Sequence, residues 1–419
     1  MNVYAIIVLC ALILDYSLNL VADLLNLRSL DPQAPAELSD VYEAGRYRRS
    51  QEYARATTRF GLKSATFDLA LVLAFWFGGG FAWLDELVRG FGLGTIATGL
   101  VYIGALVSAG GLLALPFQWY STFVIEERFG FNKTTPKTFW ADLAKGLGLG
   151  LVLGVPLLAI VLWFFERAGD QAWLGCWLVT TGFSLVVQYV APTWILPIFN
   201  KFRALEAGDL RDAVLAYADK VKFSIEGLFV IDGSRRSTKA NAFFTGFGRR
   251  RRVALFDTLV AAHETDEVVA VVAHEIGHYK RHHIVQGLIL SVLHTGVVLY
   301  LLSVFVKHPG LFEAFGVERP SIYTGLVFFG MLYAPIELVL QFLLQLLSRR
   351  HELEADRYAS DTTGGGESLT AALKRLSADS LSNLTPHPFY VLLHYSHPPL
   401  IERVQALARP HSAFEVVGR

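Results

Sequence analysis

Seven stretches of this chain are apolar for long enough to cross a lipid bilayer, which restricts the fold to one built around membrane-spanning helices. Crossing the hydrocarbon core takes about 20 apolar residues, and backbone groups in lipid must find their hydrogen bonds within helices or closed barrels. The candidate spans are residues 3–22, 67–88, 97–121, 147–165, 172–192, 284–306 and 322–347. Composition agrees: 53 % of the 419 residues are hydrophobic and mean hydropathy is +0.41. The first run has no basic residues ahead of it and no small-x-small cleavage site, so it is expected to be a retained span rather than a signal peptide. The glycines of SAGG and GLGLGLVLG, in the third and fourth runs, suit close helix packing in lipid.

The loops carry an alternating charge. Lys plus Arg number seven, one, four, one, fourteen and two in the six successive loops and eight in the tail. That order is what the positive-inside rule expects of seven spans with the N-terminus outside or lumenal. Both large polar segments, 193–283 and 348–419, are therefore expected on the cytoplasmic side of a bacterial inner membrane or an endoplasmic reticulum membrane. The chain divides accordingly into a five-span membrane domain (1–192), a first catalytic part (193–283), two further spans (284–347) and a second catalytic part (348–419). Acidic and basic residues balance at 37 each, which argues against nucleic acid as a partner. Cys10 and Cys176 both fall in apolar runs, leaving no disulfide framework and no thiolate metal site. Within 193–283 the pattern is α+β. FVIDGS (229–234) reads as a strand, ANAFFTGF and RRVALFDTLV as a hairpin, and a helix capped by Thr265 or Asp266 begins near residue 266.

That helix carries HEIGHYKRHH (274–283). His274 and His278 are i and i+4, so both imidazoles leave one face and can grip one ion. Zn²⁺ accepts such nitrogens at about 2.0–2.1 Å, and Glu275 stands where it can take a proton from an activated water. HExxH also occurs in helices that bind nothing, so a third ligand decides. Arg281 and Ile284 occupy the positions of a third histidine motif, which excludes that variant. His282 and His283 are nearby but continue the same helix, so neither is expected to wrap back onto the ion. SRRHELEADRYA (348–359) offers Glu352 and Asp356, again i and i+4, while Glu354 points roughly the opposite way and reads as a solvated charge. Six residues separate His278 from the start of span six, and five separate the end of span seven from Glu352, about 9 and 7.5 Å of helix. Two antiparallel spans thus bring the histidines and a carboxylate to one height at the bilayer boundary.

Two ionisable residues lie deeper. His294 and Glu337 are each ten residues into their spans, about 15 Å. Such groups face a bundle interior or a water-filled cavity: they line or pair across a polar chamber, or they make a local contact within the bundle. Arg249 to Arg252 form a basic run at the hairpin turn, either a site for lipid headgroups or a substrate carboxylate, or a solvated positive-inside face.

The motifs IEERFGFNK (125–133), ANAFFTGF…RRVALFDTL, HEIGHYKRHH, SRRHELEADRYA and SHPPLIERVQAL (396–407), in that order and over nearly the whole chain, resemble the type 1 CAAX prenyl proteases. These are integral-membrane zinc metalloendopeptidases. The resemblance implies a mainly α, polytopic membrane protein: seven transmembrane helices enclosing a chamber, capped by a cytoplasmic α+β, gluzincin-like metalloprotease domain. It implies one Zn²⁺ per chain on His274, His278 and Glu352, with Glu275 as general base. Asp356 corresponds to a residue described as a proton donor, or it orients a ligand histidine from outside the ligand set. His397 and Arg403 correspond to residues over the metal, His397 as oxyanion donor or as part of a helix-capping HPP turn. Asn241 and Ala242 correspond to the edge on which substrate backbone lies. The implied substrates are peptides or proteins prenylated at the C-terminus, losing their last three residues, with membrane lipids as surroundings. A quality-control protease for damaged membrane proteins and a non-catalytic zinc-binding scaffold or transporter are the alternatives. A purely structural site would not require Glu275.

Overall fold

Seven helices long and apolar enough to cross a membrane stand at the seven apolar runs: Val3–Arg28, Gly45–Phe77, Thr95–Glu126, Pro136–Arg167, Gly169–Phe199, His283–Phe305 and Ile322–Thr363. The computed structural model describes residues 1–409 apart from 32, 34, 36, 37, 39, 43 and 246–250. Arg249 and Arg250 of the basic run, and the tail beyond 409, lie outside the described residues. The second span differs in register from the apolar run. It ends at Phe77, where Gly79 takes a left-handed φ of +74°, and a separate helix follows over Gly80–Arg89. Only 6 % of the apolar window is buried in spans two to five, against 22 % in spans one, six and seven. Spans two to five therefore pack little against the rest of the chain, as helices around a chamber would. His294 and Glu337 meet across spans six and seven at 3.2 Å, with the Tyr333 hydroxyl 3.2 Å from the same imidazole nitrogen. They sit beside a cleft of about 570 Å³ that extends past Ser291 and Leu344 to His351.

The polar segments form a small α+β unit. Strands β1 (Phe202–Ala204), β2 (Gly227–Ile231), β3 (Ala242–Thr245) and β4 (Arg252–Phe256) make one sheet in the order β1-β2-β4-β3. β3 and β4 pair antiparallel, Ala242 opposite Leu255, as the expected hairpin. β3 is therefore an edge strand. Val253 and Leu255 pack into one core with Val268, Val272 and Ile276 of the HEIGH helix and Ala359 of the span-seven helix. Arg251 does not reach out to headgroups: its guanidinium stacks on Phe223 and Tyr279 at 4.8 and 4.4 Å.

The HEIGH helix covers Thr265–Lys280, and its cap is Glu264 rather than Thr265 or Asp266. Glu264 and Glu267 form a reciprocal capping box, which satisfies two otherwise orphaned donors. The helix does not run unbroken into span six. His282 adopts φ +62°, a conformation histidine tolerates better than most side chains. The chain turns there and restarts as span six at His283. Span seven, by contrast, continues as one 42-residue helix through the second motif. Gly277 lets these two helices meet. A Cβ at this position would come within 3.1 Å of the Ala355 backbone and 3.2 Å of the Tyr358 ring. Gly277→Val is expected to force the helices apart, costing about 1–3 kcal/mol. Thermal unfolding should show the loss, and metal binding should fall with it.

Candidate metal centre

Three side chains from these two helices converge at their crossing. His274 Nε2 and His278 Nε2 lie 3.2 Å apart, and each is 3.4 Å from an oxygen of Glu352. A tetrahedral zinc with ligands at about 2.0–2.1 Å has ligand atoms about 3.3 Å from one another. The imidazole pair has that spacing, and each nitrogen has it to one oxygen of the carboxylate, Oε2 for His274 and Oε1 for His278; one ligand atom from each residue lies within 4.8 Å of the others. Glu352 is 5 % exposed, and its Oε2 is buried without a hydrogen-bond partner. A buried carboxylate oxygen left without a hydrogen bond beside an imidazole nitrogen is an arrangement that a bound cation would satisfy. The donor set therefore fits a metal, and among the described residues it is the cluster with metal-ligand geometry. Glu275, next to the first histidine, is half-buried. Desolvation holds its carboxyl above the ordinary glutamate range, opposed by the neighbouring histidines.

A buried polar shell fixes the ligands. His274 Nδ1 is 2.8 Å from Asp356 Oδ1. Asp356, 1 % exposed, accepts from Arg403 Nε and Nη2 at 2.7 and 2.5 Å, a two-point contact that fixes direction as well as charge. Arg403 Nη1 also reaches within 3.7 Å of Glu352. Burial alone would lower the His274 pKa, but the carboxylates of Asp356 and Glu352 outweigh it and push it up to about 9. The site thus draws positive charge to the place where a metal would bind.

The tail brings in the remaining expected residue. Gln345 and Arg349 on the span-seven helix donate to the carbonyls of Leu393, Val391 and Tyr395, which fixes the turn that follows. His397 Nε2 then sits 3.2 Å from Glu352 Oε1, beside the ligand triangle. Asn241 lies at the start of β3, its carbonyl accepting from Phe256 N at 3.0 Å, and Ala242 is the first residue of the edge strand. β3 packs beside the HEIGH helix through Phe244 and Tyr279, ring centres 5.7 Å apart.

Two expectations change. The helix does not continue through His282, and the break brings His283 against the outer side of His278, their Nδ1 atoms 3.0 Å apart; His283 is still not among the clustered ligand atoms. Glu354 is not simply solvated: it pairs with His283 at 3.1 Å and Arg350 at 2.8 Å. The residues that dock the edge segment to the membrane domain had no signal in spacing alone. Lys239 pairs with Glu126 at 3.0 Å and contacts the Tyr53 hydroxyl at 2.8 Å, and Arg236 holds Asp142 through two bonds.

A ligand triangle with an adjacent glutamate, carried on two helices that continue from or toward membrane spans, defines a membrane metallopeptidase. The sequence matches the model of the CAAX prenyl protease N-terminal region, with five membrane helices, over residues 23–201 and that of peptidase family M48 over residues 204–411. CAAX prenyl protease 1 of Saccharomyces cerevisiae is 36 % identical over 407 residues, covering 90 % of this chain and 89 % of that protein. The Homo sapiens CAAX prenyl protease 1 homolog is 31 % identical, with 89 % and 88 % covered. A crystal structure of S. mikatae Ste24p superposes with a TM-score of 0.92 at 33 % identity, covering 98 % of this chain and 100 % of that one. This chain belongs to peptidase family M48, in its CAAX prenyl protease branch.

Because protonated His274 cannot bind a metal, acid competes with the ion. With its pKa raised to about 9, apparent metal affinity should weaken steadily as pH falls below that value. Chelator competition at a series of pH values measures this; an affinity flat between pH 9 and pH 7 would contradict it.

Proposed function

We propose that this chain is a zinc endopeptidase that removes the C-terminal tripeptide from prenylated CAAX proteins, with its catalytic unit on the cytoplasmic side of the membrane. The observation that carries the reading is the convergence of His274, His278 and Glu352, with one ligand atom from each within 4.8 Å of the others, in a chain that matches CAAX prenyl proteases over nearly its whole length. The positive-inside alternation of the loops supports the orientation. The relatives' eukaryotic origin favours an endoplasmic reticulum membrane, with the N-terminus lumenal. The division at residues 192, 283 and 347 follows the same logic, since the ligands are contributed on both sides of the last two spans.

His274, His278 and Glu352 hold the metal. When bound, the ion supplies Lewis acidity, making a water more acidic and polarising the scissile carbonyl. Glu275 takes the proton from the attacking water and hands it to the leaving amine. Its raised pKa brings it nearer to neutrality, where a group can both accept and return a proton. His397 donates to the developing oxyanion. The Ser396 hydroxyl, 2.9 Å from His397 Nδ1, can donate there and leave the proton on Nε2, which faces the site. Asp356 acts as an orienting partner of His274 rather than as a proton donor, because its oxygens are already engaged by Arg403 and His274. Arg403 is buried in holding Asp356, so we assign it that support in place of direct substrate contact. Asn241 and Ala242 open the exposed edge of the sheet, along which an extended substrate adds as a further strand.

Glu275→Gln keeps the shape and the three ligands but removes the base. Metal content should be unchanged, while release of the tripeptide from a farnesylated CAAX peptide should fall by about 10²-fold or more. Residual turnover within a few-fold of the unmodified chain would contradict the mechanism. Cleavage of unfolded membrane proteins without cleavage of the prenylated peptide would contradict the substrate class.

A further inference from the structure

The two histidine ligands are supported in different ways. His274 turns its outer nitrogen to a carboxylate, Asp356, directly. His278 turns its outer nitrogen to another imidazole, with His278 Nδ1 and His283 Nδ1 3.0 Å apart. The far nitrogen of His283, Nε2, lies 3.1 Å from Glu354 Oε2. The other oxygen of Glu354 accepts from Arg350 Nε at 2.8 Å. His283 is only 6 % exposed. Its ring lies flat on that of His351, with centroids 4.0 Å apart and planes within 9°. His351 Nε2 in turn donates to Gln286 Oε1 at 2.9 Å. Both nitrogens of a buried imidazole are thus engaged and its plane is clamped.

One proton arrangement satisfies this chain with neutral rings. His278 turns Nε2 toward the other ligands, so its proton resides on Nδ1. His283 Nδ1 must then accept, which places the His283 proton on Nε2, where it donates to the Glu354 carboxylate. In an unbroken helix, residues five apart lie about 140° from each other around the axis and could not meet in this way. The left-handed turn at His282 (φ +62°) brings His283 back against the ligand.

Resting on the metal-site reading above, we propose that His283 is a positioning residue that relays Glu354 to His278, as Asp356 serves His274. It fixes the tautomer and the ring direction of the second ligand from the first turn of span six, and so couples the metal site to that span. The general physics is that of metal-bound histidines whose other nitrogen donates to a carboxylate or a carbonyl; loss of such a partner weakens metal affinity on the order of 10- to 100-fold.

The test compares His283→Asn with His283→Leu in the full-length protein, reading Zn²⁺ affinity by chelator competition. The two replacements have nearly the same shape, and both lose the stack on His351, but only asparagine offers His278 Nδ1 an acceptor. The Asn variant should bind zinc at least about tenfold more tightly than the Leu variant. Equal affinities in the two would overturn the proposal, whatever their stabilities. If neither variant folds, Glu354→Ala decides, since that side chain is 37 % exposed and its removal leaves the packing in place. A several-fold loss of zinc affinity supports the relay and none overturns it. His278→Ala is the separate control for the underlying site: if it binds zinc as tightly as the unmodified chain, the metal-site reading fails rather than the role of His283.

Discussion

A carboxylate held out of water against two imidazole nitrogens is the constraint on which the rest of the site depends. Glu352 and Asp356 are both buried, and Arg403 is the cation that reaches both. Arg403 is committed by two bonds to Asp356. That leaves Glu352 facing His274 and His278 with an oxygen that no donor satisfies. Burying a carboxylate is costly, and here the neighbouring imidazoles and Arg403 offset that cost and hold Glu352 ionised. A metal ion held by His274, His278 and Glu352 would satisfy that oxygen, and peptidase family M48 implies such a cofactor.

The membrane sets the precision of this arrangement. Span seven enters the site as a rigid extension of a helix that also crosses the bilayer. Span six enters through a turn, so the HEIGH helix can be aimed independently of it. Gly277 allows the two helices to approach at backbone distance beside the ligands. The edge segment before β3 is attached to the membrane domain in its turn, through the Lys239–Glu126 and Arg236–Asp142 pairs. Glu352 and the turn before His397 are both held by the span-seven helix, while the segment before β3 is held by Glu126 and Asp142 of the membrane domain.

Much of this was legible in the residues themselves. Span count follows from hydropathy because lipid leaves the backbone few solutions. The two histidines of HExxH, and a carboxylate from the second motif to join them, follow from i, i+4 spacing and from antiparallel spans of matching depth. The hairpin followed from alternation around a glycine-containing turn. What could not be read were features set by a single backbone torsion or by long-range packing. Nothing in KRHH announces that His282 will adopt a left-handed conformation, so the return of His283 was hidden, and Glu354 then looked merely solvated. The division of labour between Glu352 and Asp356 was open from spacing alone, because both lie on one helical face. The structure separates them by which nitrogen of His274 each one meets: Nε2 for Glu352, Nδ1 for Asp356. His294 and Glu337 touch across spans six and seven, a contact that fits both readings from depth, a pair across a polar chamber and a local contact within the bundle.

The most direct test of the central claim is metal analysis combined with X-ray absorption at the zinc edge, on the purified full-length chain and on Glu352→Ala. The account predicts one zinc per chain, ligated only by nitrogen and oxygen at about 2.0–2.2 Å with two imidazoles in the shell. It also predicts loss of that zinc in the folded variant. Stoichiometric zinc with an unchanged spectrum in Glu352→Ala, or unmodified protein without stoichiometric metal, would contradict it.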